Sequence, residues 1–201
     1  MAIKSEALAR DLVDLNAGFL ALVAHGAKAG LPDDVALRLR ELAPEVRIRL
    51  AGTPFALFGF GFEDEGEWSR LLSPGVRDPE PGYVSGEPPA ERFTLLALTA
   101  LRGFLRTAPR RVSAWMGLPI ETRTRLAEVE IGVLCAVAAR AAPRLQGRFL
   151  AREYLWHRII DAAACGDERD LRLLISLGKQ WTIRRSLGLQ SACATMRGFR
   201  R

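Results

Sequence analysis

A stretch rich in proline and glycine at residues 74–89 divides this chain of 201 residues into two parts of similar size. It reads PGVRDPEPGYVSGEPP and holds five of the 11 prolines. Proline lacks an amide donor and glycine favours turns, so this stretch cannot form a helix or a central strand. We therefore predict a helical unit at 1–73, a linker at 74–89, a second helical unit at 90–178 and a basic tail at 179–201.

Apolar residues in both units recur every three or four positions, which is the period of an amphipathic helix. Strand signals are weak, and the clearest is the alternation of Phe58, Phe60 and Phe62 with glycines. The pattern predicts a mainly α fold with at most a short β ribbon. The apolar face of the first helix is a candidate interface with a partner or a second copy, and its residues are Leu12, Leu15, Phe19 and Leu22.

Two sequence segments resemble each other across the linker. GLPDDVALRLREL begins at residue 30 and GLPIETRTRLAEV begins at residue 117, and the tripeptide GFL precedes them at residues 18 and 103. The similarity predicts a diverged internal duplication, with two related multi-helix units in a pseudo-dimeric arrangement. The alternative is that two helix pairs joined by GLP arose by chance in a chain rich in Ala, Leu and Arg.

The formal charge of +6 is concentrated near the C-terminus. Residues 171–201 contain seven basic residues and no acidic residue, whereas residues 1–170 carry 22 basic and 23 acidic residues, a net of −1. A segregated basic segment favours a polyanion such as nucleic acid or an acidic protein. The alternative is a solvated tail without a specific ligand.

Residues suited to catalysis or metal binding are few. His25 and His157 have no Cys, His or Asp neighbour at metal-ligand spacing, and we expect both to be structural. The three cysteines are odd in number and widely spaced, which argues against a disulfide scaffold and for a reducing compartment. They form no CxxC pair, which favours buried thiols. No apolar run approaches the ~20 residues that span a bilayer, and no secretory signal is recognisable. We expect a cytoplasmic protein that is not an enzyme, has no metal or cofactor and does not bind membranes.

Residues 110–129 resemble a helix-turn-helix, with a short helix, a turn at Gly117 and a second helix beginning near Pro119. Arginine can contact guanine edges or phosphates, and threonine can reach a phosphate or a thymine methyl. The alternative is an ordinary helical corner with a solvated polar face. Together with the basic tail, this segment supplies the candidate DNA-binding residues Arg110, Arg111, Thr122, Arg123, Thr124, Arg125, Lys179, Arg184 and Arg185.

Four short motifs between residues 7 and 72 are similar in order and spacing to motifs of the FlhD family of flagellar transcriptional regulators. The family's Asp-Ile-Asn-x-x-Tyr-Leu, Leu-Gly-Ile, Lys-Leu-Ala and Phe-Arg-Phe-Asp segments correspond to Asp14–Leu20, Gly30-Leu31, Arg49–Ala51 and Phe60–Glu63. The similarity covers about a third of the chain. Family members are about half as long as this chain, and Gly61 replaces the arginine of the last motif.

The resemblance implies a helical subunit that dimerises through its long first helix and acts in a DNA-binding activator with a zinc-containing partner, FlhC. If the second unit is a degenerate copy, one chain holds both units of that dimer. The sequence leaves open whether the protein is a monomer or a homodimer. We therefore predict an FlhD-like regulator that binds DNA directly or through a partner. The alternatives are an adaptor or secretion chaperone without DNA binding, and a small helical enzyme.

Overall fold

The computed structural model of this protein describes residues 2–73 and 89–186. The first half (residues 2–73) contains α1 (Ala2–Ala24), α2 (Asp33–Glu41), α3 (Pro44–Ala51), β1 (Phe58–Gly59) and α4 (Glu65–Leu71). The second half (residues 89–186) contains α5 (Pro89–Thr107), α6 (Pro109–Met116), α7 (Ile120–Glu128), α8 (Leu134–Ala141), β2 (Gln146–Gly147), α9 (Glu153–Cys165) and α10 (Glu168–Ser186). Short 3-10 turns lie at Ile131–Val133, Ala142–Arg144 and Leu150–Arg152.

The predicted mainly α fold is confirmed, since the strands of the described residues form a single two-stranded ribbon. Most of the predicted linker, residues 74–88, lies outside the described residues. Its last residue, Pro89, begins α5, a position where proline is tolerated because the first amides of a helix have no intrahelical acceptor. In the described ranges no helix combines the length and the apolar character that crossing a membrane requires.

The GLP segments adopt the same backbone conformation in both halves. Gly30 and Gly117 have left-handed φ angles of 60° and 67°, which glycine adopts without a Cβ clash. The prolines that follow precede α2 and α7, and their carbonyl oxygens accept from Ala36 N at 2.9 Å and Arg123 N at 3.0 Å. The sequence similarity therefore corresponds to a similar local structure.

The helices of the two halves follow the same order and make corresponding contacts. In the first half α1 packs against α2 and α3, and in the second half α5 packs against α7 and α8. The next helix of each half packs on the other half, because α4 contacts α7 and α8 while α9 contacts α2 and α3. Each half thus covers part of the other, and α1 also contacts α5 directly.

Two buried tryptophans occupy corresponding positions in α4 and α9. Trp68 Nε1 donates to the carbonyl oxygen of Phe60 at 3.2 Å, and Trp156 Nε1 donates to that of Arg148 at 2.6 Å, eight residues earlier in both cases. The next residue along the chain from each of these carbonyls has a left-handed φ, 64° at Gly61 and 61° at Phe149. The same hydrogen bond and the same backbone conformation therefore occur in both halves, although Phe60 and Gly61 correspond to Arg148 and Phe149.

The two strands come from different halves and pair with each other. β1 and β2 are antiparallel, with Phe58 opposite Gly147 and Gly59 opposite Gln146. The sequence predicted the first strand but not the second, because Gln146 and Gly147 lack the apolar and β-branched residues typical of strands. The ribbon lies within a single apolar core that draws residues from both halves.

The predicted interface of α1 is buried within its own chain. Leu12, Leu15, Phe19 and Leu22 are at most 9% exposed. The Phe19 ring centroid lies 5.8 Å from that of Phe58 and 6.2 Å from that of Phe93 in α5. These side chains are therefore unavailable to a second chain, and the prediction of an intermolecular interface at this face is wrong because α2, α3 and α5 of the same chain pack on α1.

Asn16 is a fully buried polar residue that connects α1 to the segment leading into β1. Its Nδ2 atom lies 3.1 Å from the carbonyl oxygen of Ala51 and 3.0 Å from that of Phe55. Its Oδ1 atom accepts from Leu57 N at 2.9 Å. Both ends of the amide are therefore satisfied, as a buried polar group requires.

We expect Asn16→Ala to lower the free energy of unfolding by about 2–4 kcal/mol, because each buried group left without a partner costs about 1–3 kcal/mol. Urea denaturation followed by circular dichroism measures the change. Asp14→Ala, at an exposed position of the same helix, is the control and should stay within about 0.5 kcal/mol of the original protein. Equal effects of the two substitutions would contradict a special role for Asn16.

The predicted boundary between residues 178 and 179 is wrong, because α10 continues through it to Ser186. The second helical unit predicted from the sequence ends at Gly178. In the structure Gly178 is a buried contact at which α10 approaches the ring of Phe55, and an added Cβ would lie 2.6 Å from that ring. The glycine is explained by this close approach rather than by helix termination.

We expect Gly178→Ala to destabilise the protein by about 1–3 kcal/mol through overpacking, although alanine has the higher helix propensity. Gly103→Ala is a matched control, since Gly103 also lies inside a helix and an added Cβ would meet nothing within 4 Å. The control should stabilise the protein by about 0.5–1 kcal/mol. Thermal unfolding of both variants measures the difference, and the same sign in both would refute the close contact.

Candidate nucleic-acid interface

The predicted helix-turn-helix corresponds to α6 and α7, with Gly117 in the turn between them. On α6 the side chains of Arg110 and Arg111 are exposed. The guanidinium carbon of Arg111 lies 5.1 Å from the centroid of the Trp115 ring, a cation–π contact that orients this arginine along the helix.

The candidate residues of α7 are mostly engaged within the protein. Thr122 is 2% exposed and therefore does not reach DNA, so this prediction is wrong. It occupies the position of Val35 in α2, which is also buried, because this side of both helices faces the core. Thr124 Oγ1 donates to the carbonyl oxygen of Ile120 at 3.0 Å, and Arg125 pairs with Glu121 at 2.8 Å.

Corresponding polar contacts join α7 to α4 and α2 to α9. Ser69 Oγ donates to Glu121 Oε1 at 3.5 Å on one side. On the other side, His157 Nε2 lies 3.0 Å from Asp34 Oδ2 and its Nδ1 lies 3.0 Å from Arg38 Nη1. Because Arg38 can only donate, the imidazole Nδ1 acts as an acceptor and its Nε2 as the donor to Asp34. Polar side chains of α2 and α7 therefore contact the other half of the chain.

Helix α10 packs against both α6 and α9. Among its basic residues Arg169, Arg172 and Lys179 are exposed. Arg184 and Arg185 lie on the same helix, and their side chains are outside the described residues. The structure thus places the helix carrying the predicted Lys179, Arg184 and Arg185 next to the helix carrying Arg110 and Arg111.

An acidic residue of α10 is already paired. Arg158 Nη2 of α9 lies 3.0 and 2.9 Å from the two carboxylate oxygens of Asp170. The hydrogen bond to Asp170, together with the charge of that carboxylate, raises the pKa of Arg158. The negative charge of Asp170 is therefore compensated by α9 and detracts little from the positive charge of α10.

We use the name basic face for the exposed basic side chains of α6 and α10, which are Arg110, Arg111, Arg169, Arg172 and Lys179. The candidate DNA-binding residues predicted from the sequence did not include Arg169 and Arg172. The helical period of α10 could have indicated them, because Leu174 and Gly178 mark its buried side. The basic face can attract phosphate groups through charge and arginine hydrogen bonds.

A metal ion needs histidine, cysteine or carboxylate side chains in a suitable arrangement. Within residues 2–73 and 89–186, no three His, Cys, Asp or Glu side chains are placed so that they could hold a metal ion. Cys135 and Cys165 are exposed free thiols, so the expectation that they are buried is wrong, and Cys193 lies outside the described residues.

No protein-family model, curated protein or solved structure matches this chain. The FlhD-like resemblance therefore stays a prediction from the sequence motifs.

Ser113 is a buried residue on α6, between the basic face and the core, and among the described residues its Oγ is the buried side-chain polar atom without a hydrogen-bond partner. We expect Ser113→Ala to stabilise the protein by up to about 1 kcal/mol, because it removes an unsatisfied hydroxyl and favours the helix. Thermal unfolding measures the effect. A loss of more than about 1 kcal/mol would show that the hydroxyl has a partner in solution.

Proposed function

We propose that this chain is a cytoplasmic, FlhD-like transcriptional regulator subunit that binds DNA through its basic face. The observation that carries the proposal is the packing of α10 against α6, which places basic residues from distant parts of the sequence on adjacent helices. Helix α6 contains no acidic residue, and from residue 171 onward α10 contains none either. Such a surface favours the phosphate backbone of nucleic acid.

The proposed architecture is a single-chain pseudo-dimer formed by duplication of one helical unit. Support comes from the corresponding helix contacts, the reciprocal β1–β2 pairing, and the matching hydrogen bonds of Trp68 and Trp156. The direct contact of α1 with α5 takes the place of the contact between first helices that the resemblance implies for two subunits. An FlhC-like partner protein belongs to the proposal by the same resemblance.

A protein-interaction module without DNA binding is the second candidate, and two leucines favour it. Leu173 and Leu177 lie one helical turn apart on α10 and are 59% and 40% exposed. Exposed apolar residues at this spacing are typical of a helix that contacts a partner helix. The two candidates differ in salt dependence, because phosphate contacts weaken steeply with salt whereas apolar contacts do not.

We expect the double variant Arg110→Ala and Lys179→Ala to bind duplex DNA about tenfold or more weakly at 0.15 M salt. The slope of log K against log salt concentration should fall in magnitude by about 2, since each phosphate contact contributes about 0.9. Fluorescence anisotropy with a labelled 24-base-pair duplex of mixed sequence, titrated between 50 and 300 mM KCl, measures both quantities.

The matched control is Arg10→Ala with Arg40→Ala, which removes the same charge from two exposed positions of the first half. The control should retain the affinity and the salt slope. Equal losses of affinity in both variants would show that the effect comes from the net charge of the protein and not from the basic face. Absence of binding by the original protein at 50 mM KCl would refute the DNA proposal and favour the protein-interaction candidate.

A further inference from the structure

The two halves share an order of elements but differ in charge. Residues 1–73 contain 8 basic and 11 acidic residues, a net charge of −3, whereas residues 89–186 contain 17 basic and 9 acidic residues, a net charge of +8. A strongly negative phosphate backbone is therefore attracted to the second half and repelled by the first. The two halves therefore have similar helix contacts but different net charges.

Among the residues that the structure describes, the helices that carry the basic face have no counterpart in the first half. Helix α6 lies between α5 and Gly117, but the corresponding residues 25–29 before Gly30 form no helix. Helix α10 follows α9, whereas α4 is followed by residues 74–88, whose sequence holds one basic and three acidic residues. Within the described residues, the basic face is therefore confined to the second half.

Regulators with two-fold symmetry read two half-sites about one helical turn apart, because each subunit presents the same element to the DNA. In this chain, polar residues of the corresponding helices α2 and α7 contact the other half. Within the described ranges, the charged helices α6 and α10 have no copy in the first half. We propose that each chain makes one contact with duplex DNA without a second copy of itself, on a target without two-fold symmetry. This inference rests on the proposed DNA-binding function.

The length of the contact follows from α10. Its 19 residues span about 28 Å at 1.5 Å per residue, which corresponds to about 8 base pairs at 3.4 Å each. A 12-base-pair duplex is therefore long enough for one contact, and it is too short for two half-sites about 10 base pairs apart.

The test compares labelled duplexes of 12 and 24 base pairs with the full chain at 50 to 150 mM KCl. We expect one protein on the 12-base-pair duplex and two on the longer one, with per-site affinities equal within about threefold and the same salt slope. Anisotropy gives the affinities, and sedimentation velocity gives the stoichiometry of each complex.

The inference is overturned if one chain holds two short duplexes, or if the first protein binds the longer duplex more than about tenfold tighter than the shorter one. Either result would indicate two contacts per complex and would leave the DNA-binding function intact. Absence of binding to both duplexes at 50 mM KCl would instead overturn the function itself. As a further check, Arg10→Glu with Arg40→Glu in the first half should leave the stoichiometry and the salt slope unchanged.

Discussion

The buried amide of Asn16 fixes the relation between the long first helix and the segment that becomes β1. It bonds to the backbone at Ala51, Phe55 and Leu57, so one side chain holds a stretch that has no helix of its own. The direction of that stretch determines where Phe58 enters the core and where β1 meets β2. Without these bonds, several buried backbone groups would lose their partners at once.

The contact between the halves depends on α4 and α9 as much as on the β1–β2 ribbon, because each of these helices packs on the half to which it does not belong. Each of these helices inserts a tryptophan that bonds to a carbonyl of its own half, at Phe60 and Arg148, while the helix itself packs on the other half. The apolar surface of either half is therefore completed by the other. A single core from both halves is the physical consequence, and separation of the halves would expose it.

Sequence periodicity predicted the mainly α fold and the correspondence of the two GLP segments, because both depend on local apolar spacing and on glycine at a left-handed turn. It did not predict β2, since Gln146 and Gly147 pair through backbone atoms and carry no local strand signal. It also misplaced the end of the last helix, because Gly178 is required by the distant ring of Phe55. Burial of Thr122 likewise depends on tertiary packing, which a helix pattern alone does not specify.

The basic face, which we propose contacts DNA, was only partly predictable because it also depends on tertiary packing. Arg110 and Lys179 are identified by charge alone, but their relation is set by the packing of α10 against α6, a contact between residues about 70 positions apart in the chain. Arg125 was an equally good candidate in the sequence, yet it pairs with Glu121. These two residues correspond to Arg38 and Asp34, whose polar groups contact α9. Arg38 and Arg125, at matching positions of α2 and α7, are both engaged in contacts within the chain. Arg110 and Lys179 lie instead on α6 and α10 and are exposed, which is compatible with the proposed contact to DNA.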